Sequence, residues 1–485
     1  MKVSLKAADY GKLIAVILCI VFLRITPLPV AAVQAFHAVR EAIGREDYQM
    51  ASRLLVEAAE VLPWRQDLWE QAGWYAAKAG DFRQAAAAFE RAEAVGALSV
   101  RGCVALGDEY LAQGDLPRAI RIWKRAIEQT DAPLDVFVKM RDAYLHAGNL
   151  AQAARVSRQI LVTFPDAGPE RVKTVALLGL IQAASEPKDA LSFLVQAVDY
   201  GAADAEHLRK LIRTIRMAIR ENEPAYSLLE SGRVLGEMGR WRLALAAFRK
   251  ATALRPDYAD AWAFLSEALQ MVDLENGIVP PEHGYDAVQK ALALDKNSFA
   301  ANIIAANYWL RQEKPEKARK LLAFAGKLDS HNPAVLADMG AAWAASGDLV
   351  KAQKYYHKAV ILAPNDPHFL RLLAKFCIRY QIRLGETALP AAREAALLSP
   401  YDPDSADTLG QVLYLLNDLH NAEKFYLKAL ALQPEYSPAH LHLAMLYLVQ
   451  GRRELAEKQL RQAAQAGNLA VKQRAQRLLK AYFSP

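Results

Sequence analysis

LADMGAAWAASGDLVKAQKYYHKAVILAP, residues Leu336–Pro364, spells out two helices joined by a tight turn. Leu336, Met339, Gly340 and Trp343 recur at helical spacing and form one stripe. Gly347-Asp348 then supplies a stop and a start. Glycine tolerates a left-handed C-cap, and aspartate accepts from the free N–H groups that open the next helix. Ala352, Tyr356 and Ala359 make a small–large–small stripe on that second helix, and Pro364 closes the unit. The same order returns at Leu409, Gly410, Leu413, Asn417-Asp418, Ala422, Tyr426, Ala429 and Pro434.

Outward from this stretch, closing positions fall at Pro63, Ala97, Asp131 and Pro165, then at Pro256, Lys296, Ser330, Pro364, Pro400, Pro434 and Asn468. Most steps are 34 residues; those into Lys296 and Pro400 are 40 and 36, which places small insertions at turns. Gly73, Gly107, Gly232, Gly340 and Gly410 share one register position, where the second helix is expected to cross closely. Gly80-Asp81, Gly114-Asp115 and Gly148-Asn149 repeat the turn. Arg171–Asp204 keeps only the apolar half of the pattern, in Leu177, Leu178, Ile181, Ala190, Leu194 and Ala197.

This pattern resembles the tetratricopeptide repeat, with its W-x2-L-G-x2-Y, A-x3-F and closing proline, and the resemblance runs from Ala32 almost to the C-terminus. It implies an all-α fold, an α-solenoid superhelix of about twelve helix-turn-helix repeats. The expected organisation is a membrane anchor or signal segment over 1–31, a first repeat block over 32–204 and a spacer helix over 205–224. A second block then covers 225–470, and a capping helix 471–485. No single hairpin can bury its stripe alone, so the array is expected to fold as a stack.

Composition agrees. The chain is 53% hydrophobic, and no run of alternating β-branched residues suggests a sheet. The formal charge of +7 is a thin excess over 485 residues, unlike the dense basic stripe of a nucleic-acid binder, so no nucleic-acid partner is expected. Cys103 and Cys377 sit in different packing stripes, too far apart for a disulfide, and there is no Cys-x-x-Cys pair for zinc.

At the N-terminus Lys2, Lys6 and Lys12 precede the apolar run Leu13–Leu23, with Arg24 after it. Two readings compete. A cleaved signal peptide fits the basic flank and a site after Val33-Gln34-Ala35. An uncleaved single-pass anchor fits if Arg24 snorkels to the far interface, and it is preferred because the first repeat helix begins near Ala32. Either reading carries the repeats out of the cytoplasm, secreted or periplasmic if cleaved. The plain alternative is a hydrophobic first helix packed on the array.

Catalytic motifs are absent: no His-Glu-x-x-His, no phosphate-binding Gly-x4-Gly-Lys-Ser/Thr, no Gly-x-Ser-x-Gly. No enzyme activity, cofactor or metal is expected. His440 and His442 lie two apart on a helix and point to different sides. The insertion Asp273–Gly284 only loosely suggests a calcium loop, lacking its closing glutamate.

What remains is the concave groove that the resemblance assigns to the first helix of each hairpin. There Ala334, Ala337, Ala341 and Ala344 form an alanine floor, flanked by Asn307 and Arg311 and by Arg371, Lys375 and Arg379, with Arg383 continuing the spacing. Earlier units offer Trp74, Asp108 and Asp142 instead. The expectation is a peptide-binding groove for a partner protein presenting an extended acidic segment, met by arginine forks and lysine charge. The plain alternative is a solvated helix face. Residues Asp204–Glu223 form a basic amphipathic helix, read as a spacer rather than a membrane-surface helix. The function expected is a membrane-tethered scaffold for envelope complex assembly. The alternative is an accessory role in surface polysaccharide export or polymerisation, which stacked aromatic faces in the groove would favour.

Overall fold

The computed structural model describes residues 29–129, 131–465 and 469–483. The apolar run Leu13–Leu23 and the anchor or signal segment read from it therefore lie outside the described residues, apart from the last residues before the first helix. Every regular element described is helical. Among the described residues no helix is long and apolar enough to cross a membrane.

Two compact units divide between Leu178 and Gly179. Among its described residues the first contains four helical hairpins: α1 (Val30–Gly44) with α2 (Tyr48–Val61), α3 (Gln66–Lys78) with α4 (Phe82–Val95), α5 (Val100–Ala112) with α6 (Leu116–Ile127), and α7 (Leu134–His146) with α8 (Leu150–Thr163). The division falls inside α9 (Pro169–Ala183). The second unit holds α10 (Pro187–Asp199) and the single helix α11 (Ala205–Ala218). Seven hairpins follow among its described residues: α12 (Pro224–Glu237) with α13 (Trp241–Leu254), α14 (Ala259–Glu275) with α15 (Tyr285–Leu294), α16 (Phe299–Arg311) with α17 (Pro315–Leu328), α18 (Pro333–Ala345) with α19 (Leu349–Leu362), α20 (Pro367–Tyr380) with α21 (Leu389–Leu398), α22 (Pro403–Leu415) with α23 (Leu419–Leu432), and α24 (Ser437–Val449) with α25 (Arg453–Ala464). Helix α26 (Leu469–Phe483) closes the series, burying Ala475. The first helix of each hairpin is called A below and the second B.

The turns form as their residues dictate. Gly80, Gly114, Gly148 and Gly347 take φ between 72° and 84°, the left-handed region that ends helix A. Asp81, Asp115, Asn149, Asp348 and Asp418 each accept from a backbone N–H three residues on. Packing within a hairpin turns on volume. A Cβ built on Gly107 would lie 2.3 Å from Trp123 Nε1, and one on Gly410 would lie 2.7 Å from Tyr426. Gly179 meets Leu194 in the same way, so the unit that looked degenerate keeps this contact.

One hairpin inverts the rule. Arg141 takes the glycine place in α7, and buried Ser157 takes the aromatic place in α8. The small partner leaves room for the arginine stem. Its head bonds Glu170 at 2.6 Å, Thr174 at 3.1 Å and Asp142 at 2.8 Å.

The structure departs from the sequence reading at the end of α20. Gln381 and Arg383 adopt φ of 51° and 46°, so the helix stops at Tyr380 and Arg383 does not extend the stripe of Arg371, Lys375 and Arg379.

Candidate binding groove

In the second unit the A helices carry groups of alternating sign in chain order. Arg233 is on α12, Glu267 on α14, Arg311 on α16, Asp338 on α18, Arg371 and Lys375 on α20, and Asp404 and Asp407 on α22. Arg233 pairs with Glu230 on its own helix, Arg311 reaches back to α14, and Arg371 and Lys375 reach forward to the start of α22.

The C-terminal rungs are closed. Arg371 Nη1 donates to Asp402 Oδ2 at 2.7 Å and to Ser405 Oγ at 3.0 Å. Lys375 Nζ donates to both Asp404 oxygens at 2.7 Å. Burial pulls the Asp404 carboxyl up, but Lys375, the Tyr436 hydroxyl and Arg371 together hold it below the usual carboxylate range. On α24, His442 Nδ1 lies 2.8 Å from Asp407 Oδ1. His440 turns instead to Gln459 and to the carbonyl of Pro434, so the two histidines do not converge.

The central rungs are open. Arg311 donates to Gln270 Oε1 at 2.7 Å and lies 3.7 Å from Met271 Sδ, reaching neither neighbouring carboxylate. Burial lowers its pKa, opposed by the charges of Glu267 and Asp338. Burial raises Glu267 against the charges of Arg311 and Arg233. Asp338 is pushed up to about 6 by burial, although Asn307 bonds it and Arg311 faces it. These groups are half-buried: crowded by protein yet still open to water.

The remaining expected groove residues divide. Arg379 is exposed, its guanidinium 5.8 Å from the Tyr380 ring centroid. Ala334 is exposed and Ala341 half-buried, but Ala337 and Ala344 are buried in the core that also holds Phe369 and Phe376. The alanine floor is thus half packing surface. In the first unit Asp108 bonds Lys139 at 2.8 Å, and Trp74 stands at 40% exposure with its edge against Phe89.

Other candidates resolve as structure. Asp273 accepts from the N–H groups of Glu282 and His283 and pairs with the His283 ring, clamping its own loop. Among the described residues no group of three or more His, Cys, Asp or Glu could hold a metal ion. Cys103 and Cys377 are buried free thiols, and burial pushes both up, Cys377 to about 11.

Sequence reasoning missed the ladder because its partners lie one repeat apart and at different register positions. The available signal was the Asp402-x-Asp404 pair at the mouth of α22, about one repeat beyond Arg371 and Lys375.

Family models of the tetratricopeptide repeat match residues 70–132, 104–169, 229–270, 309–376 and 404–436, together about half of the chain. The chain belongs to the tetratricopeptide repeat family. The Protein CTR9 homolog of Arabidopsis thaliana is 25% identical over 232 residues, 46% of this chain. The match spans only 21% of that relative's length. Among solved structures, yeast Tom70 is similar with a TM-score of 0.41 at 14% identity, over 79% of this chain and 95% of that one. The APC/C hetero-tetramer Cut9-Hcn1 gives a TM-score of 0.39 at 15% identity, over 93% and 96%. MamA from Desulfovibrio magneticus RS-1 gives 0.30 at 22%, over 39% and 98%. Scores this low carry no functional argument.

Proposed function

We propose that this tetratricopeptide repeat protein is a non-enzymatic scaffold whose second unit holds an extended segment of a partner protein along its A helices. The observation that carries the reading is the open middle of the charge ladder. Glu267, Arg311 and Asp338 are fixed by packing, yet none of the three closes on its neighbour's charge. Half-buried groups with unfilled bonding capacity gain most when a ligand replaces water around them.

The partner segment crosses Asn307, Arg311, Arg371, Lys375 and Arg379. Its acidic groups meet Arg311 and Arg379 first, because Arg371 and Lys375 are already held by Asp402 and Asp404. The repeat blocks 32–204 and 225–470 flank the spacer helix α11. The chain is tethered by its N-terminal apolar segment to a bacterial-type membrane, with the repeats on the extracytoplasmic side. The basic flank and the run Leu13–Leu23 support this. Cleavage after Ala35 would also remove the start of α1, including fully buried Ala32.

Two experiments test this. Mass spectrometry of the protein recovered from cells should find the N-terminal apolar segment still attached; a chain starting at residue 36 contradicts the tether. Photo-crosslinking from Ala341 and Arg379 should capture a protein. Capture of glycan alone would move the polysaccharide reading ahead.

A further inference from the structure

Helix α11 has two faces with different fates. Leu208, Leu211, Ile212, Ile215 and Ala218 are all buried. The face that could have entered a lipid surface is therefore taken up by packing. The opposite side carries Arg209, Arg213 and Arg216, and Arg220 follows on the 3-10 turn Ile219–Glu221. Spacings of four and three keep the three helical arginines on one stripe roughly 10 Å long, at ~1.5 Å rise per residue. All four are exposed.

Among the described residues none of the four guanidinium groups makes a hydrogen bond or an ion pair. Several carboxylates nearby in sequence serve other cations, while Asp199, Glu206 and Glu221 form no ion pair with the row. Glu237 is paired with Lys210, Asp204 with Arg240, Glu186 with Lys250 and Glu223 with Arg255. No ion pair neutralises the row, whereas the groove cations Arg371 and Lys375 are paired.

The row borders a recess of about 450 Å³ between α10 and α11. Val195, Val198 and Ile212 form its apolar side, Met217 stands at its edge at 63% exposure, and Asp199 is the single carboxylate lining it. A cationic rim over an apolar floor asks for a ligand that is anionic and apolar together.

We infer that the Arg209–Arg220 row and this recess form a second docking surface, for an acidic segment of a partner protein carrying an apolar side chain. Carboxylates spaced along the segment receive the guanidinium forks, which bind them with two parallel N–H donors. The apolar side chain enters between Val198 and Ile212. A flat anionic bilayer would satisfy the arginines but cannot enter a recess between two helices, so a protein segment fits both halves of the site. This surface does not depend on the groove formed by the A helices.

The test uses the full chain in detergent micelles and a fluorescent twelve-residue peptide of glutamates with two central leucines. Binding is expected, about tenfold or more weaker for R213E/R216E, several-fold weaker for a peptide with the leucines replaced by serine, and unchanged for Lys354→Ala, an exposed residue outside both surfaces. Circular dichroism checks that R213E/R216E keeps its helix content, and the milder Arg213→Gln with Arg216→Gln should weaken binding in the same direction. Equal binding by wild type and both arginine variants overturns the inference. So does tighter binding of phosphatidylglycerol vesicles or a single-stranded DNA twelve-mer than of the peptide. A loss on Arg379→Ala with R213E/R216E unaffected assigns the peptide to the groove and overturns the inference, so failure of one surface is separable from failure of the other.

Discussion

Asp338 shows how a single side chain can record a groove. Burial pushes its carboxyl up to about 6, with Asn307 bonding it, Arg311 facing it and Glu267 and Tyr356 contributing nearby charge or hydroxyl. The folded state thus holds this proton more tightly than the unfolded chain does. Its contribution to stability is full below the unfolded value near 4 and is lost as pH rises through about 6. Asp338→Asn should therefore stabilise the unit 179–485 by ~1–2 kcal/mol at pH 7.5 and make little difference at pH 4, as denaturant titration would show. Ionised Asp338 also repels an acidic segment lying near Arg311. Binding of such a segment should strengthen between pH 7.5 and 5.5, and the N-for-D variant should remove that dependence. Gly107 makes a sharper steric case. Gly107→Ala would force a methyl against the Trp123 indole and should cost ~1–3 kcal/mol in thermal denaturation. Adding Trp123→Leu should recover part of that loss, because the collision is with the ring.

Helices and turns were the most legible elements, because one hairpin is specified by residues close in sequence. Gly114-Asp115 and Gly347-Asp348 predict their turns from the conformations and bonds those residues favour. The stripe Ala119, Trp123, Ala126 predicts its own packing face. Pairing between hairpins was not legible in the same way. Nothing local in Arg141 announces that Ser157 makes room for it or that Glu170 and Thr174 receive its head. Likewise Arg371, Lys375, Arg379 and Arg383 read as one cationic stripe. The structure cuts it after α20 and pairs two of its members with the mouth of α22. At this scale Asp404→Asn should loosen α20 against α22 by about 1–3 kcal/mol, since it leaves Lys375 without its carboxylate. The native stabilisation should be present above pH ~4 and be lost as pH falls through the depressed folded value of Asp404. Hydrogen exchange in α20 at pH 7 should read the loosening directly.

At the scale of the molecule, a stack of hairpins distributes stability between neighbours. The first unit gathers α1 to α8 around one continuous core running from Ala32 to Ile160, while the second carries several smaller clusters. Gly107→Ala should accordingly raise exchange over α5 and α6 and their neighbouring hairpins, and leave α20 to α25 unchanged. Uniform loss of protection along the whole chain would contradict a nearest-neighbour stack. Binding has a different distribution. The second unit offers a charge ladder open at Arg311 and closed at Arg371, and a separate arginine row on α11 and the turn after it whose guanidinium groups have no partner among the described residues.

Site-specific photo-crosslinking in cells shows whether the groove holds a partner protein, with probes at Ala341 and Arg379 and a control at exposed Lys354 on α19. The account predicts that both groove probes capture the same partner protein, that the control does not, and that R311A reduces the yield several-fold. Equal yields from groove and control, or capture of nothing by either groove probe while the control stays silent, would contradict it.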